Sequence, residues 1–447
     1  MDVLSSAIII SLILALLFLV YVTILVTAFV KHRPGELGNP RDYQWHFIVP
    51  CLNEQAVIGK TLDYLLSSFP QARLWVIDDG SDDSTLEITC AGRAGGGRIT
   101  VLQRSLPDAR CGKGEALNYA YQQISQHVGD ADRSKAVCVV VDADGRPSSN
   151  LLDVCSGPAL FGDAQVAAVQ VEVRMSNRYR TEPLPGESAF ANWLGRTFVR
   201  LQDIEFRGPI SAMQMVRKFT HTVNVGGNGQ LARLAALDSI DGRGGNPWGR
   251  ALLEDYELGL RLMLNGWRNA YTIDSWVDQE ALYSLGALIR QRTRWAQGSM
   301  QCLPYLRQIW SCRHFTNAGL GEVNYYLAQP WLQLIGSLAY PLPVLAFMSN
   351  AALYPLFVRR YLEDGGGLVL ALYMVLGLAE FAVWGLLYRW RSERYLGWWQ
   401  ALGYGFALVA YNYLVYVIAW RALGRVLRRR DGWVKTQRID ALPATSA

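Results

Sequence analysis

Hydrophobic and polar positions divide the chain into three stretches. Ala7 to Val30 is an uncharged apolar run of two dozen residues, about 36 Å as a helix and long enough to cross a bilayer. From Arg41 to about Leu320 the apolar runs are short and broken by charge, Gly and turn residues. Apolar stretches return at Tyr325–Met348, Gly367–Tyr388 and Ala401–Trp420. Within the middle stretch, Trp45–Pro50, Leu74–Asp78, Ile99–Gln103 and Ala136–Val141 are predicted strands. The last has no polar alternation, as expected of a strand covered on both faces. Between them Glu54–Ser68, Ser84–Cys90 (behind Asp82 and Asp83 as cap candidates) and Gly114–Ile124 carry helical spacing. Strands alternating with helices predict a parallel, right-handed α/β sheet.

The first apolar run ends at Lys31-His32-Arg33, the reverse of a signal peptide's charge order. Residues 1–33 are therefore expected to form an anchor, with the middle stretch in the cytoplasm. Three crossings after the soluble stretch would place the tail outside. Yet Arg421 to Arg438 carries seven Lys and Arg residues, which belong on the cytoplasmic side. A hairpin at 325–358, turned at Tyr340-Pro341-Leu342-Pro343, would remove the conflict. The resulting division is 41–300 catalytic, 301–324 interfacial helices, 325–422 membrane helices and 423–447 a basic tail.

Composition narrows the class. Of the 447 residues, 51% are apolar and 18% charged, too little charge for a disordered chain and in keeping with a membrane protein. The net charge of +5 is too small to suggest a nucleic-acid partner. Seven scattered cysteines without a CxxC point to reduced thiols rather than a zinc or disulfide framework.

In a parallel α/β sheet, ligands sit beyond the carboxyl ends of the strands. Two predicted strands end there in acids, Asp78-Asp79-Gly80 and Asp142-Ala143-Asp144. Neither GxGxxG nor GxxxxGK[ST] occurs, and Gly92–Gly97 reads as a flexible connector. Asp142 and Asp144 offer two hard oxygen donors suited to Mg2+ or Mn2+ bridging to phosphates. Asp78 and Asp79 can hold a base or ribose. Lys113 lies at a helix start, where phosphate is favoured. Glu254 and Asp255 open an amphipathic helix, and Asp255 is a general-base candidate if other groups converge on it. Gln291, Arg294 and Trp295, in Gln291-Arg-Thr-Arg-Trp295, offer a forked donor for diphosphate and an indole face for a sugar.

In this order PCLNE (50–54), IDDGSDDST (77–85), GKGEALN (112–118), VDAD (141–144), GGNGQ (226–230), LEDYELGLRL (253–262) and QRTRW (291–295) resemble the membrane-embedded family 2 glycosyltransferases, which include cellulose, chitin and hyaluronan synthases. The resemblance covers roughly residues 45 to 300. It implies a GT-A (Rossmann-like) fold and inverting transfer from a nucleoside diphosphate sugar, UDP by expectation, to a growing glycan or a lipid acceptor. On that resemblance Asp78, Asp79 and Asp142 contact the nucleotide and Lys113 its diphosphate. Asp142 and Asp144 carry the metal, Asp255 is the base, Gln291, Arg294 and Trp295 with Glu254 serve the diphosphate and acceptor, and Gly227 and Asn228 line the acceptor side. Leu253 stands where many relatives have Thr, and GGNGQ replaces the usual acceptor loop of cellulose synthases. A processive synthase passing polymer along Trp331, Trp384, Trp398, Trp399 and Trp420 is the leading expectation, and single transfer to a lipid the alternative.

Overall fold

The computed structural model describes residues 3–92, 97–242, 245–339, 341–430 and 432. The interior of the expected connector (93–96) and most of the basic tail, including 433–438, therefore lie outside the described residues. An eight-stranded sheet forms the centre: β1 (Gln44–Cys51), β2 (Arg73–Asp78), β3 (Ile99–Gln103), β4 (Ala136–Val140), β5 (Arg146–Pro147), β6 (Val166–Met175), β7 (Gln230–Arg233) and β8 (Arg268–Gln279). Spatially the order is β3-β2-β1-β4-β7-β6-β8-β5.

β1 to β4 pair in parallel, as the apolar runs predict. The sheet as a whole is mixed, however. β7 runs antiparallel to both β4 and β6, and β5 antiparallel to β8, while β6 and β8 pair in parallel, so the expectation of a parallel sheet fails only at β5 and β7. Successive residues of β1 feed opposite layers. Phe47 and Val49 join the core under one face, and Ile48 joins the other. Every residue from Phe47 to Val49 and from Ala136 to Val140 is fully buried, which is why these strands show no polar alternation.

The helices are α1 (Val3–Val30), α2 (Ile58–Ser68), α3 (Thr85–Gly92), α4 (Lys113–Val128), α5 (Leu151–Cys155), α6 (Ala189–Glu205), α7 (Ser211–Thr220), α8 (Leu234–Ile240) and α9 (Glu254–Leu264). They continue as α10 (Leu285–Gln301), α11 (Leu306–Ser311), α12 (Asn317–Ala339), α13 (Pro341–Leu353), α14 (Phe357–Glu363), α15 (Gly366–Arg391), α16 (Trp398–Asn412) and α17 (Leu414–Leu427). α2 starts four residues later than its apolar spacing suggests, because Asn53, at φ 54°, turns the chain first. Asp83 accepts the Thr85 amide at 2.9 Å, the capping contact expected of it.

Among the described residues three helical runs are long and apolar enough to cross a membrane: 317–353, 366–391 and 398–427. α12 and α13 together make the candidate span 317–353, with Pro341 and Pro343 in the first turn of α13, where proline is tolerated; Tyr340, in the expected turn of a hairpin at 325–358, lies outside the described residues. The third run has an unexpected course. Gln400 and Tyr404 of α16 share a cavity with Arg196 and Thr197 of α6. Further along, Tyr411 donates to Glu205 at the end of α6 (2.7 Å), and Arg425 of α17 donates to Gln297 of α10 (2.6 Å). The run thus lies along the sheet domain from one end to the other.

A buried ion cluster ties the α15–α16 turn to that domain. Glu393, 1% exposed, stands 2.8 Å from Arg207, 3.4 Å from Arg200 and 3.3 Å from Arg178. Asp203 pairs with Arg207 at 3.1 Å and accepts from the Tyr388 hydroxyl. All seven cysteines are free thiols.

Candidate active site

The site starts at the carboxyl ends of β1, β2 and β4. Asp78 closes β2 and accepts the Ser81 amide at 3.3 Å. The Asp79 amide donates to Cys51 O at the end of β1 (2.9 Å), which holds the Asp79 carboxylate in the loop above the sheet. Burial pushes the Asp79 carboxyl above its ordinary range, and Arg104 pulls it back through a 2.5 Å ion pair. Arg104 is a site residue that motif reading missed. The only signal was its position, one residue past β3 on the same edge of the sheet. Two further contacts stitch the strand-end loops together. The Asn53 side chain bonds Asp82 in both directions (2.6 and 2.9 Å), and Arg110 donates to Gly80 O (2.6 Å).

Two strands away, the chain turns tightly after β4, where Gly145 N donates to Asp142 O at 2.7 Å. Asp142 meets Lys113, the first residue of α4, at 2.5 Å, and the same ammonium donates to Gly227 O at 2.7 Å. Burial opposes that charge, but the carboxylates of Asp142, Glu254 and Asp255 outweigh it and keep Lys113 protonated above its usual range. Asp144 accepts the Glu280 amide (3.0 Å), which fixes it against the end of β8. Asn228 accepts the Asp142 amide at 3.2 Å and donates to Gln279 at 3.0 Å, while Gln170 donates to Asn228 O at 2.9 Å. Gln170 and Gln279 belong to strands that sequence reading did not find.

Gly227 shows how close the parts lie. A Cβ there would stand 3.1 Å from Lys113 Nζ and 3.2 Å from Asp255 Oδ2, so a side chain would occupy the space between base candidate and cation. Asp255 lies in the first turn of α9 and accepts the Tyr256 amide at 2.7 Å. Burial, then the neighbouring Glu254 carboxylate, push Asp255 up to about 7 against the pull of Tyr256 N–H, Lys113 and Arg294. Glu254 is raised by burial too, with Lys113 and Arg294 opposing.

Arg294 of α10 thus faces both acids, and it makes no hydrogen bond or ion pair of its own among the described residues. Gln291 lies one turn before it on the same helix. Trp295 packs edge-on against Phe206 (ring centroids 6.3 Å apart), with Arg292 stacked 4.2 Å over it and held by Glu205 at 2.7 Å. Lys113, Asp142, Gly227, Asn228, Glu254, Asp255 and Arg294 are therefore drawn together, with Asp144 two residues from Asp142. Asp78 and Asp79 stand two strands away on the same rim.

Among the described residues no three His, Cys, Asp or Glu side chains form a ready metal cage. Asp142 and Asp144 nonetheless fit a hard divalent ion that takes its remaining ligands from a diphosphate and water. Asp142, Glu254 and Asp255 face Lys113, and the last two also face Arg294, while burial favours the neutral form of Glu254 and Asp255. Asp142 already carries the Lys113 ammonium and Asp144 accepts the Glu280 amide.

Of the five tryptophans expected along a sugar path, Trp384 is buried against Phe29 of α1, Trp331 packs against the cluster of Met300 and Ala419, Trp398 and Trp399 are exposed, and Trp420, also exposed, donates to Ser337 of α12.

Residues 41–298, more than half the chain, match the family described as "Glycosyltransferase like family 2". The beta-monoglucosyldiacylglycerol synthase of Trichormus variabilis is 29% identical over 296 residues, 63% of this chain and 56% of that protein. The poly-beta-1,6-N-acetyl-D-glucosamine synthase of Staphylococcus epidermidis is 26% identical over 272 residues, 59% of this chain and 56% of that one. The chain thus spans about half the length of the curated relatives it matches. Among solved structures, the mannosyltransferase PcManGT of Pyrobaculum calidifontis in complex with GDP-Man and Mn2+ superposes with a TM-score of 0.53 at 17% identity, over 92% of this chain and 99% of that one, a likeness of fold. With its mixed Rossmann-like GT-A sheet, the chain belongs to the family 2 glycosyltransferases.

Proposed function

We propose that this protein is an integral membrane glycosyltransferase that moves one sugar, with inversion, from a nucleoside diphosphate sugar to the hydroxyl of a membrane lipid. The observation that carries the transfer chemistry is the placement of Asp255 Oδ2 and Lys113 Nζ on either side of Gly227. A carboxyl group that titrates near neutral pH suits a general base.

In the proposed reaction Asp255 takes the acceptor proton as the oxygen attacks the anomeric carbon. The bond to the donor phosphate breaks on the opposite face, and the electron pair leaves with the nucleoside diphosphate. Lys113, the α4 N-terminus and Arg294 stabilise the added negative charge. Asp78 and Asp79, braced by Arg104, hold the nucleoside end. Gln291 and Trp295 contact diphosphate and sugar, with Arg292 and Phe206 setting the indole's angle. A divalent ion on Asp144 and Asp142, Mg2+ or Mn2+, supplies further charge neutralisation at the diphosphate; the Mn2+ in the PcManGT structure is consistent with this.

The lipid acceptor is favoured over a polymer by the likeness to glucosyldiacylglycerol synthases. A processive synthase, the leading expectation from the sequence, becomes the second reading, supported by the likeness to poly-N-acetylglucosamine synthases. Purified protein given labelled UDP-glucose or UDP-N-acetylglucosamine, Mg2+ or Mn2+ and diacylglycerol micelles distinguishes them. One organic-soluble product supports lipid transfer, and a ladder of water-soluble products overturns it.

In the proposed orientation the sheet domain faces the cytosol. α1, the 317–353 run and α15 cross the bilayer, and α16–α17 lies at the inner surface along α6 and α10. The basic tail then stays cytosolic without a hairpin.

A further inference from the structure

A groove of about 670 Å3 opens between α1 and α7 where α1 leaves the apolar stretch. Its upper walls are apolar, with Ile24 and Ala28 on α1 and Met215, Val216 and Phe219 on α7. Its mouth carries Lys31, Arg33 and Lys218, none of which has an ion-pair partner among the described residues. The fourth basic side chain, His32, is already bound to Asp274 at 2.8 Å, and the other oxygen of Asp274 accepts the Gly35 amide at 3.0 Å. The acid at hand is thus held by His32 and Gly35; its field reaches Lys218, but it forms an ion pair with none of the three cations. Phe219 is 78% exposed beside them, an aromatic edge at the level where polar headgroups meet acyl chains.

We propose that this groove is a binding site for an anionic phospholipid of the inner leaflet. The phosphodiester sits among Lys31, Arg33 and Lys218, and the first part of an acyl chain runs up between Ile24, Ala28 and Met215. Charge and shape both argue for this occupant. Three cations at the membrane surface attract an anion, each contributing an interaction worth roughly fivefold in binding. The walls above them are mainly apolar, with the hydroxyls of Thr23 and Thr27 bonded back to their own helix, and a free anion leaves that apolar surface unused. The site is separate from the sugar-transfer cleft and does not depend on which acceptor that cleft takes.

The test uses the full chain, purified and delipidated in a neutral detergent, with binding read by native mass spectrometry and thermal shift rather than by turnover. Phosphatidylglycerol should be retained and should raise the melting temperature at concentrations where phosphatidylcholine and inorganic phosphate do neither. Lys218→Gln should weaken phosphatidylglycerol binding roughly fivefold, and K31Q/R33Q/K218Q on the order of a hundredfold. Lys60→Gln, at an exposed lysine of α2 remote from the groove, should leave it unchanged. Equal binding of phosphatidylglycerol and phosphatidylcholine, an equal shift with phosphate alone, or wild-type binding by Lys218→Gln would each overturn the proposal. Because Lys218 is exposed, its single variant decides the matter even if the triple variant does not fold.

Discussion

Glu254 and Asp255 are adjacent acids in a recessed first turn; burial raises both, and the Glu254 carboxylate raises Asp255 further. They titrate as a pair, and the rising limb of the pH–rate profile should report the base with an apparent midpoint near 7. Removing the neighbouring charge in Glu254→Gln should move that limb to lower pH; a limb that stays in place would separate Glu254 from the base. The same shift has a sign for stability. Asp255 binds its proton more tightly folded than unfolded, so its contribution is full below the ordinary carboxylate pKa and is lost as pH rises to about 7. Asp255→Asn should therefore melt at a higher temperature than wild type at pH 8 and show little advantage at pH 4. Arg292 acts at this scale through Trp295. Arg292→Ala should raise the acceptor KM more than it lowers kcat, since it frees an indole without touching the acids.

Elements are held by two devices that spacing could not reveal. The first is the Glu393 cluster, in which one carboxylate faces three arginines of α6 and its flanks. Glu393→Gln keeps the shape but leaves buried guanidinium charge uncompensated, and it should cost about 3–5 kcal/mol of stability by thermal or denaturant melting. The second is the α15–α16 crossing, where a Cβ on Gly385 would meet Ala401 O at 2.1 Å and Gly405 N at 2.7 Å. Gly385→Ala gains helix propensity yet should lose about 1–3 kcal/mol through overpacking. What was readable at this scale follows from burial. β1 to β4 are covered on both faces and appear as unbroken apolar runs. β8 does not, because its polar residues are buried by pairing: Asn269 donates to Val223 O and Gly259 O, and Ser275 bonds Ser148. Strands β5 to β8 were accordingly missed, and with them Gln170 and Gln279 behind Asn228. Asp78, Asp142 and Asp255 were readable because an acid at a strand or helix end is a local pattern. Arg104 and Arg292 were not, because their partners are brought up from distant segments.

At the scale of the whole molecule, composition identified apolar runs but not their course. The 398–427 run passes every test of length and hydropathy for a membrane span, yet both of its ends touch the sheet domain. The proposed cytosolic orientation predicts that a membrane-impermeant thiol reagent labels exposed Cys90 and Cys111 in inverted vesicles and spares them in intact cells. A cysteine placed at the end of the basic tail should show the same pattern, and labelling of that cysteine in intact cells would return α16–α17 to the bilayer.

The central claim is that acids from separate strands and helices form one donor-binding and transfer cleft with Asp255 as its base. The most direct measurement pairs nucleotide-sugar binding with transfer in Asp255→Asn. The account predicts donor affinity within a few-fold of wild type and transfer lowered by about 10²–10⁴-fold. Transfer at the wild-type rate in that variant would contradict it.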